Sequence, residues 1–374
     1  MIRGGIGASM NFDGKDMPRK GARVKISDVS DALGLTKSTV SRALNHYPDI
    51  SETTRTRVQA MADKMGYRPL SHAQAIRTGL VKSLGLVIQM GDHDAQRPFL
   101  STFLAGLSEG ASAEGFTLTI ATSNSEQATL DTFKSMIRDH KADGFILPRT
   151  MVDDPRIALL RAADVPFVLF GRVAGAADLP SYDIKGGAAM HEAVQHLAAL
   201  GHRQIAFING GTQYSYAPTR ADGFLRGMRD AGLSVNPALM AQDAVTIDQA
   251  RVAADVMLAA PNPPTAIICA VDMAALGVYE SAAACGLEIG DDLSVIGYDG
   301  IPEGAHVSPP LSTFAVDFKH AGLRLSNLLI RNIRGEKPTG LQETAAAQFL
   351  RRGSTGPAPH SQTNSKGGNY ESEL

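Results

Sequence analysis

The sequence predicts an α/β protein with a small all-α head at its amino terminus. Short apolar runs alternate with helical periodicity from Leu84 to about Phe349, whereas only short helices are indicated from Val24 to Tyr67. Because the apolar runs show little alternation, their strands should be covered on both faces, as in parallel sheets wrapped by helices. The 374 residues are enough for two or three domains.

Composition and periodicity divide the chain into five predicted segments. Residues 1–21 are Gly-rich and irregular, and we expect a disordered N-terminal extension. Residues 22–68 form the helical head, 69–83 a linker, and 84–350 the α/β core. The tail, 351–374, is rich in Gly, Ser, Pro and Asn, and we expect it to be disordered as well.

The core is predicted from strands and helices that alternate along the chain. The predicted strands are Leu84–Ile88, Leu118–Ala121, Gly144–Leu147, Phe167–Phe170, Ile205–Ile208, Ala266–Ala270 and Leu293–Tyr298. The predicted helices include Ala188–Leu200, Ala217–Ala231 and Met273–Ala284. Two parallel sheets of this kind form two lobes with a cleft where the carboxyl ends of the strands meet. Open α/β sheets bind ligands there.

Charge is unevenly distributed along a chain whose formal net charge is only −2. From Arg19 to Lys82 there are 12 Lys and Arg against five Asp and Glu, so this segment carries +7. A small basic module on a larger acidic body predicts that only the module touches a polyanion.

The sequence gives no sign of a membrane segment or a bound cofactor. No stretch approaches the roughly 20 apolar residues of a membrane helix, and residues 1–22 lack the apolar core of a signal peptide. We therefore expect a cytoplasmic protein without membrane contact. Cys269 and Cys285 are expected to be reduced thiols in apolar surroundings, and no cofactor, metal site or catalytic residue is predicted.

The stretch Ile26–Asn45 has the pattern of a helix, a turn and a second helix. Gly34 can adopt the left-handed conformation that ends the first helix, and Thr36 can cap the second. Ser51 then caps a third helix that closes a small apolar core. The outward face of the second helix carries Lys, Ser, Thr, Arg and Asn, which suit phosphates and base edges. Small polar bundles that do not bind DNA also contain such helix pairs, but the pattern favours DNA binding, and the basic charge and the linker that follows strengthen that interpretation.

An ordered set of residues runs through the head and the linker. It consists of Asp28-Val29, Leu35-Thr36, Thr39 to Asn45, Ser51, Thr54-Arg55, Val58, Gly66 to Pro69, Ala73 and Arg77 to Gly79. With these residues, the stretch from Val24 to Leu84 resembles the DNA-binding head and hinge of the lactose-repressor (LacI/GalR) family. The resemblance continues to about Phe349, and so covers nearly everything except the two tails.

For the head, the resemblance implies that the second helix lies in the major groove, with Lys37, Ser38 and Arg42 reading base edges. It also implies that residues 71–78 form a hinge helix that orders on operator DNA. Ile76 stands where the family has a leucine that wedges into the minor groove. The candidate DNA-contacting residues are Thr36, Lys37, Ser38, Thr39, Ser41, Arg42, Asn45, Ala73 and Ile76.

For the core, the resemblance implies the two-lobe architecture of periplasmic-binding-protein-like domains, with the chain crossing between the lobes three times. One lobe would comprise about 84–182 and 313–340, and the other about 183–312. The candidate ligand-binding residues of the cleft are Phe99, Arg149, Arg172, Tyr216, Arg220, Asp272 and Phe318.

Three of these candidates take their roles from the resemblance. Arg220 would form a bidentate contact with vicinal hydroxyls or a carboxylate, although it could also be a surface helix arginine. Asp272 would accept hydrogen bonds from ligand hydroxyls, and the residue before it is Val271 where the family usually has Asn. Phe318 would pack its ring on the ligand.

For the other candidates the sequence leaves alternatives open. Phe99 could stack on a sugar or pack in the core. Arg149 and Arg172 follow predicted strand ends, and each could contact the ligand or form an ion pair that closes the lobes. Because the chain has no Trp, stacking must come from Phe and Tyr, Tyr216 among them.

Together these features predict a sequence-specific DNA-binding transcriptional regulator, expected to be a homodimeric repressor whose operator affinity is controlled by a small ligand. Arg149–Arg156 and Phe170–Arg172 resemble regulators of α-glucoside utilisation, so we expect a carbohydrate effector; a nucleobase or a sugar acid is the alternative. A sugar-binding transport receptor is a rival that the basic head disfavours. An enzyme is a second rival, for which the sequence offers no catalytic motif.

Overall fold

The structure is a computed structural model and describes residues 24–67, 79–90, 99–176 and 178–359. The chain divides into two compact units, Met1–Val81 and Lys82–Leu374, which we call the head and the sensor. The predicted N-terminal extension and the predicted hinge helix at 71–78 lie outside the described residues.

The described part of the head has the three predicted helices, α1 (Ile26–Leu33), α2 (Lys37–Leu44) and α3 (Glu52–Met65). Gly34 ends α1 with a φ of 64°. Thr36 is the N-cap of α2, because its hydroxyl accepts a hydrogen bond from the backbone N–H of Thr39 at 3.1 Å. The buried core of the head consists of Val29, Val40, Ala43, Val58, Ala62 and Tyr67.

The described sensor contains two six-stranded sheets, one in each lobe. Its strands are β1 (Ser83–Gln89), β2 (Thr117–Ser123), β3 (Gly144–Leu147), β4 (Phe167–Phe170), β5 (Ser181–Ile184), β6 (Ile205–Ile208), β7 (Met240–Ala241), β8 (Ala266–Cys269), β9 (Ser294–Asp299), β10 (Ser312–Ala315), β11 (Gln342–Ala345) and β12 (Gln348–Leu350). The strand orders are β11-β5-β4-β3-β1-β2 and β12-β10-β9-β8-β6-β7. All pairs are parallel except β10 with β12. The prediction of two parallel sheets is confirmed.

Helices cover both faces of each sheet. They are α4 (Leu100–Ala113), α5 (Glu126–Arg138), α6 (Pro155–Ala162), α7 (Gly186–Ala199), α8 (Tyr216–Asp230), α9 (Ile247–Leu258), α10 (Asp272–Ala284) and α11 (Phe318–Ile333). Two of these helices approach each other closely at Gly106 in α4, where a Cβ would lie 2.0 Å from the carbonyl oxygen of Lys319 in α11. Glycine is therefore required there.

One predicted strand differs from the others in its burial. The run Leu118–Ala121 was expected to be covered on both faces, but β2 lies at the edge of its sheet and Ile120 is 44% exposed. An apolar run marks a strand whether it is central or peripheral, so the run does not give the position in the sheet.

The lobe boundaries also need correction. The expected breaks at 182/183 and 312/313 would cut β5 and β10, yet β5 lies wholly in the first sheet and β10 wholly in the second. The first lobe further extends beyond residue 340, because β11 adds to it before β12 returns to the second lobe. The chain therefore crosses to the second lobe after β5 has ended, and returns to the first lobe after β10 has ended.

The expectation of disorder from residue 351 is wrong for residues 351–359. Ser354 is fully buried, and its hydroxyl donates to the carbonyl oxygen of Val295 at 2.6 Å and accepts from the backbone N–H of Ser312 at 2.7 Å. The polar segment 351–359 is therefore ordered, because hydrogen bonds anchor it to β9 and β10. Cys285, expected in apolar surroundings, is exposed, whereas Cys269 is buried.

Candidate nucleic-acid interface and ligand cleft

The predicted DNA-contacting residues that the structure describes lie together on α2 and its two ends. Thr36, Lys37, Ser38 and Arg42 are exposed, and Thr39, Ser41 and Asn45 are half-buried. Val40 and Ala43 face the core, which turns the polar side of α2 outward. Ala73 and Ile76 lie outside the described residues.

Two of these side chains already have partners within the head. The amide of Asn45 donates to the carbonyl oxygen of Ser41 at 2.7 Å. The Nη2 atom of Arg42 lies 2.6 Å from Oδ2 of Asp49, and the Arg42 guanidinium carbon lies 5.2 Å from the centre of the Tyr47 ring. Arg42 is thus held in one direction by the loop that follows α2.

The sensor has a cleft where the carboxyl ends of strands from both sheets meet. It encloses about 680 Å³, including the part open to solvent, and takes side chains from both lobes. Phe99, Arg149, Tyr216, Arg220 and Phe318 line it, and Arg172 lines a continuous part. Six of the seven predicted ligand residues therefore lie around one cavity.

Arg220 lies at the floor of the cleft on α8. It is only 9% exposed, and its guanidinium carbon lies 3.7 Å from the Tyr298 ring centre and 4.5 Å from that of Tyr216. Its Nη1 donates to the carbonyl oxygen of Ala270. Its Nε and the hydroxyl of Tyr298 are buried, and neither makes a hydrogen bond of ordinary geometry among the described residues, although the two side chains are in contact. Buried polar groups are normally paired, so these two atoms are available to a ligand.

Tyr298 is a cleft residue that the sequence reasoning did not single out. Burial raises the pKa of Tyr298 to about 12, so its hydroxyl keeps its proton at neutral pH. A phenol beside a guanidinium offers one group that both donates and accepts. Its position at the end of β9, directly before Asp299, is the sequence signal that could have identified it.

The first lobe contributes an aromatic wall to the cleft. The rings of Phe99 and Phe318 stack with centres 4.3 Å apart, and Phe170 meets Phe318 edge-on at 6.3 Å. Phe99 packs against the apolar core of the first lobe and also lines the cavity, and its stacking on a sugar stays a prediction. An apolar ring surface of this kind suits the C–H face of a sugar.

Two carboxylates of the cleft come from strand ends. Asp183 on β5 pairs with Arg172, whose Nε lies 2.8 Å from Oδ2 of Asp183. This ion pair lies within the first lobe, so it is not the lobe-closing ion pair that was one alternative for Arg172. Asp299 ends β9 with a φ of 123° and lines the cavity. Sequence reasoning singled out neither Asp183 nor Asp299 as a ligand residue.

The prediction that Asp272 contacts the ligand disagrees with this geometry. Asp272 is fully buried and does not line the cleft. Its Oδ2 accepts from the backbone N–H groups of Gly300 (2.8 Å) and Ile301 (2.9 Å), and its Oδ1 accepts from the Thr313 hydroxyl (2.6 Å). The carboxylate instead ties the start of α10 to the loop after β9, with Asp299 in the cleft beyond.

A short segment of the first lobe pairs with the second lobe beside the cleft. The backbone N–H of Val152 donates to the Gln213 carbonyl and that of Ser215 to the Thr150 carbonyl, both at 2.9 Å. Met151 and Tyr214 form an antiparallel bridge between these bonds. We call this contact, 149–152 with 213–215, the inter-lobe bridge.

A buried ion pair fixes the first-lobe side of the inter-lobe bridge. Arg156 lies 2.6 Å from Asp154 and donates to the carbonyl oxygens of Pro148 and Arg149, both at 3.1 Å. Arg149 takes a left-handed φ of 52°, and its guanidinium carbon lies 4.1 Å from the Tyr214 ring centre. Arg149 therefore contacts the opposite lobe through an aromatic ring, in addition to lining the cleft.

Other kinds of site are not indicated by the described residues. They contain no cluster of His, Cys, Asp and Glu that could hold a metal ion. None of the described helices combines the length and the apolar character that crossing a membrane requires.

Comparison with known proteins gives the same two-part division. The model of bacterial regulatory proteins, lacI family, matches residues 25–70, and that of the periplasmic binding protein-like domain matches residues 194–355. The chain is 34% identical to the HTH-type transcriptional regulator AglR of Rhizobium meliloti (strain 1021), over 90% of this chain and 95% of that protein. It is 28% identical to the HTH-type transcriptional regulator RafR of Escherichia coli, over 90% and 99% of the two chains.

Solved structures agree with the fold. The transcriptional regulator CelR–cellobiose complex matches with a TM-score of 0.69 and 25% identity, over 89% of this chain and 100% of that chain. The lac repressor dimer bound to operator and the anti-inducer ONPF matches with a TM-score of 0.74, over 90% and 100% of the two chains. Its identity of 23% supports the shared fold alone.

Proposed function

The chain belongs to the lacI family of bacterial regulatory proteins, and from this premise we propose that a carbohydrate in the cleft controls how tightly α2 holds operator DNA. It is a DNA-binding transcriptional regulator with a helix-turn-helix head and a two-lobe sensor. The relatives described above are named as regulators, not as enzymes.

For the DNA, we propose that α2 enters the major groove with Lys37, Ser38 and Arg42 towards the base edges. Thr36, Thr39, Ser41 and Asn45 would contact phosphates or support those that do. The exposed, polar and cationic outer face of α2 supports this assignment. Ala73 and Ile76 are proposed to contact the minor groove at the operator centre.

For the effector, the observation that carries the proposal is a pair of buried polar atoms in the cleft, Nε of Arg220 and the hydroxyl of Tyr298, which make no hydrogen bond of ordinary geometry among the described residues. A sugar hydroxyl can bridge them, while Phe318 and Phe99 cover a sugar face. Asp299 would accept from a further hydroxyl. Tyr216 and Arg149 would line the rest of the ligand.

We further propose that the sugar is an α-glucoside. The support is the resemblance of Arg149–Arg156 and Phe170–Arg172 to regulators of α-glucoside utilisation. The cellobiose complex of CelR, a similar fold, supports a carbohydrate in this kind of cleft. A nucleobase or a sugar acid is the competing effector class.

Coupling between the two sites would pass through closure of the cleft in a homodimer. A ligand that favours one arrangement of the lobes changes the cost of ordering the hinge on DNA. A coupling of about 1–3 kcal/mol would change operator affinity by about 5- to 150-fold.

Exposed Val252 and Val256, one turn apart on α9, offer apolar area for a subunit contact, which sedimentation of the purified protein would test.

The experiment is a thermal-shift screen followed by DNA binding with each hit. The ligands are maltose and other α-glucosides, cellobiose, nucleosides and sugar acids, and the DNA is the duplex that the protein selects from a random library. We expect α-glucosides to raise the melting temperature and to change affinity for that duplex. Stabilisation by nucleosides alone would contradict the proposed effector class. Failure of the protein to select any sequence from the library would contradict the proposed assignment of α2.

A further inference from the structure

Arg42 of α2 is paired with an acid whose position is fixed by the fold of the head. Asp49 lies in the loop between α2 and α3, and its Oδ2 is 2.6 Å from Nη2 of Arg42. Both side chains are close to half exposed, at 46% for Arg42 and 48% for Asp49. Water reaches the pair, so DNA can displace or rearrange it, and it contributes little to folding.

The loop is held from the opposite side by α3. Nη2 of Arg55 donates to the carbonyl oxygens of Tyr47 at 3.3 Å and Ile50 at 3.2 Å. The backbone N–H of Tyr47 also donates to the carbonyl oxygen of Arg42 at 3.1 Å, and Ile50 packs on the core of the head. The meeting of Asp49 with Arg42 is therefore built into the backbone of the head.

The Tyr47 ring adds a second constraint on the same guanidinium. Its centre lies 5.2 Å from the guanidinium carbon, within the range of a cation–π contact. An arginine held by a carboxylate and a ring loses less side-chain freedom when it binds a guanine edge than an unrestrained arginine does.

The carboxylate also affects contacts that do not depend on sequence. Phosphates attract any exposed arginine, and this term dominates non-specific binding. A fixed negative charge beside Arg42 weakens that attraction and repels a phosphate that approaches it. A base edge carries no net charge, so its hydrogen bonds to Arg42 suffer much less.

From these contacts we propose that Asp49 is a specificity-determining residue of the head. It orients Arg42 for a base edge and offsets the charge of Arg42 against phosphates, so that it lowers non-specific DNA affinity more than specific affinity. This inference rests on the proposed function, in which α2 reads DNA.

The test compares Asp49→Asn with Asp31→Asn in the full chain. Both remove one negative charge from the head, but Asp31 is exposed on α1 and is not the partner of Arg42. Affinity is measured at several salt concentrations for the duplex that the parent selects and for a scrambled duplex of equal length. A melting curve of each variant checks that the head is folded.

For Asp49→Asn we expect about 3- to 10-fold tighter binding to the scrambled duplex and a salt slope steeper by roughly one. The ratio of specific to non-specific affinity should fall by a similar factor. In an Arg42→Ala background, Asp49→Asn should have no more effect than Asp31→Asn.

Equal effects of Asp49→Asn and Asp31→Asn would overturn the inference, because the charge of the head would then act without regard to Arg42. An unchanged affinity ratio in Asp49→Asn would also overturn it. Neither result would affect the proposed function, which fails separately if the parent selects no sequence from the library.

Discussion

The hydroxyl of Thr150 in the first lobe lies 2.5 Å from the hydroxyl of Ser215 in the second. Thr150 follows the end of β3, and Ser215 directly precedes α8, the helix that carries Arg220. Gly171 leaves room for this contact, because a Cβ at that position would lie only 2.8 Å from the Thr150 hydroxyl. A hydrogen bond between lobes thus lies beside the proposed ligand-binding residues.

Removing this bond should weaken effector binding without unfolding the sensor. Thr150→Val keeps the shape of the side chain but leaves the Ser215 hydroxyl without its partner. If the effector binds the closed cleft, the lost bond costs about 1 kcal/mol of closure, which is about a 5-fold weaker Kd. Calorimetric titration with the effector from the screen measures the Kd of each variant. Ser112→Ala, which removes an exposed hydroxyl from α4, is the control; equal Kd values for Thr150→Val and the parent would contradict the role of the bond.

Arg220 should contribute more to effector binding than any exposed arginine of the same helix. Arg220→Ala removes a buried, charged donor, and losing its ligand hydrogen bonds should cost about 1.5–3 kcal/mol, or roughly 10- to 150-fold in Kd. Arg226→Ala breaks only an exposed i,i+4 pair with Asp222 and should leave Kd nearly unchanged. The two variants are compared by the same titration, and similar losses in both would remove Arg220 from the binding site.

The two acids around β9 show what sequence alone could and could not decide. Both Asp272 and Asp299 follow a predicted strand, yet only Asp272 was predicted to contact the ligand. Their side chains separate only in three dimensions: the Asp272 carboxylate is surrounded by the loop after β9, whereas Asp299 lines the cavity. The sequence pattern does not show which of the two acids accepts hydrogen bonds from two backbone N–H groups.

Asp272 and Asp299 should therefore respond differently to substitution. Asp272→Ala leaves two buried N–H groups and the Thr313 hydroxyl without an acceptor, and should lower the free energy of unfolding by about 2–4 kcal/mol. Asp299→Asn should leave stability within about 1 kcal/mol and weaken effector binding. Urea unfolding and ligand titration separate the two effects. A stable Asp272→Ala sensor that no longer binds the effector would restore Asp272 to the ligand site.

The fold was predictable from the sequence where a single hydrophobic pattern is enough to identify an element. Central strands such as Gly144–Leu147 were predicted to the residue, because a short apolar run has few other uses in an α/β chain. Strand β11, with exposed Gln342, and the polar segment around Ser354 carry no such pattern. Backbone and hydroxyl hydrogen bonds to distant strands hold both, and a sequence does not display those partners.

Arg42→Ala should relax the choice of DNA sequence as well as weaken binding. Loss of a bidentate contact to a base costs about 1–3 kcal/mol on the selected duplex and much less on duplexes altered at the contacted base pair. The measurement is binding to the selected duplex and its single-base variants. Arg57→Ala, on the exposed side of α3, is the control for charge. If Arg42→Ala lost affinity equally for all duplexes, Arg42 would be a phosphate contact.

Acidification should destabilise the sensor through His202. This side chain is fully buried, with Nδ1 2.8 Å from the Thr265 hydroxyl and Nε2 3.0 Å from the Gly356 carbonyl oxygen. Burial lowers the pKa of His202 below its usual 6.5. As pH falls through 6.5 the unfolded chain takes up a proton that the folded chain does not, so stability decreases, by at most about 1.4 kcal/mol per pH unit for one group.

Urea unfolding between pH 7.5 and 5.5 measures this dependence, with His202→Asn and His306→Asn as the matched pair. His306 is exposed, so its replacement removes a histidine without disturbing the buried segment and serves as the control. His202→Asn should flatten the slope although it lowers stability overall, because the group that titrates on unfolding is gone. Burial also lowers the pKa of His196, and burial raises the pKa of Asp272, so other groups contribute to the slope with both signs. Only the difference between parent and variant isolates His202, and identical slopes would mean that the C-terminal segment is not anchored through a neutral histidine.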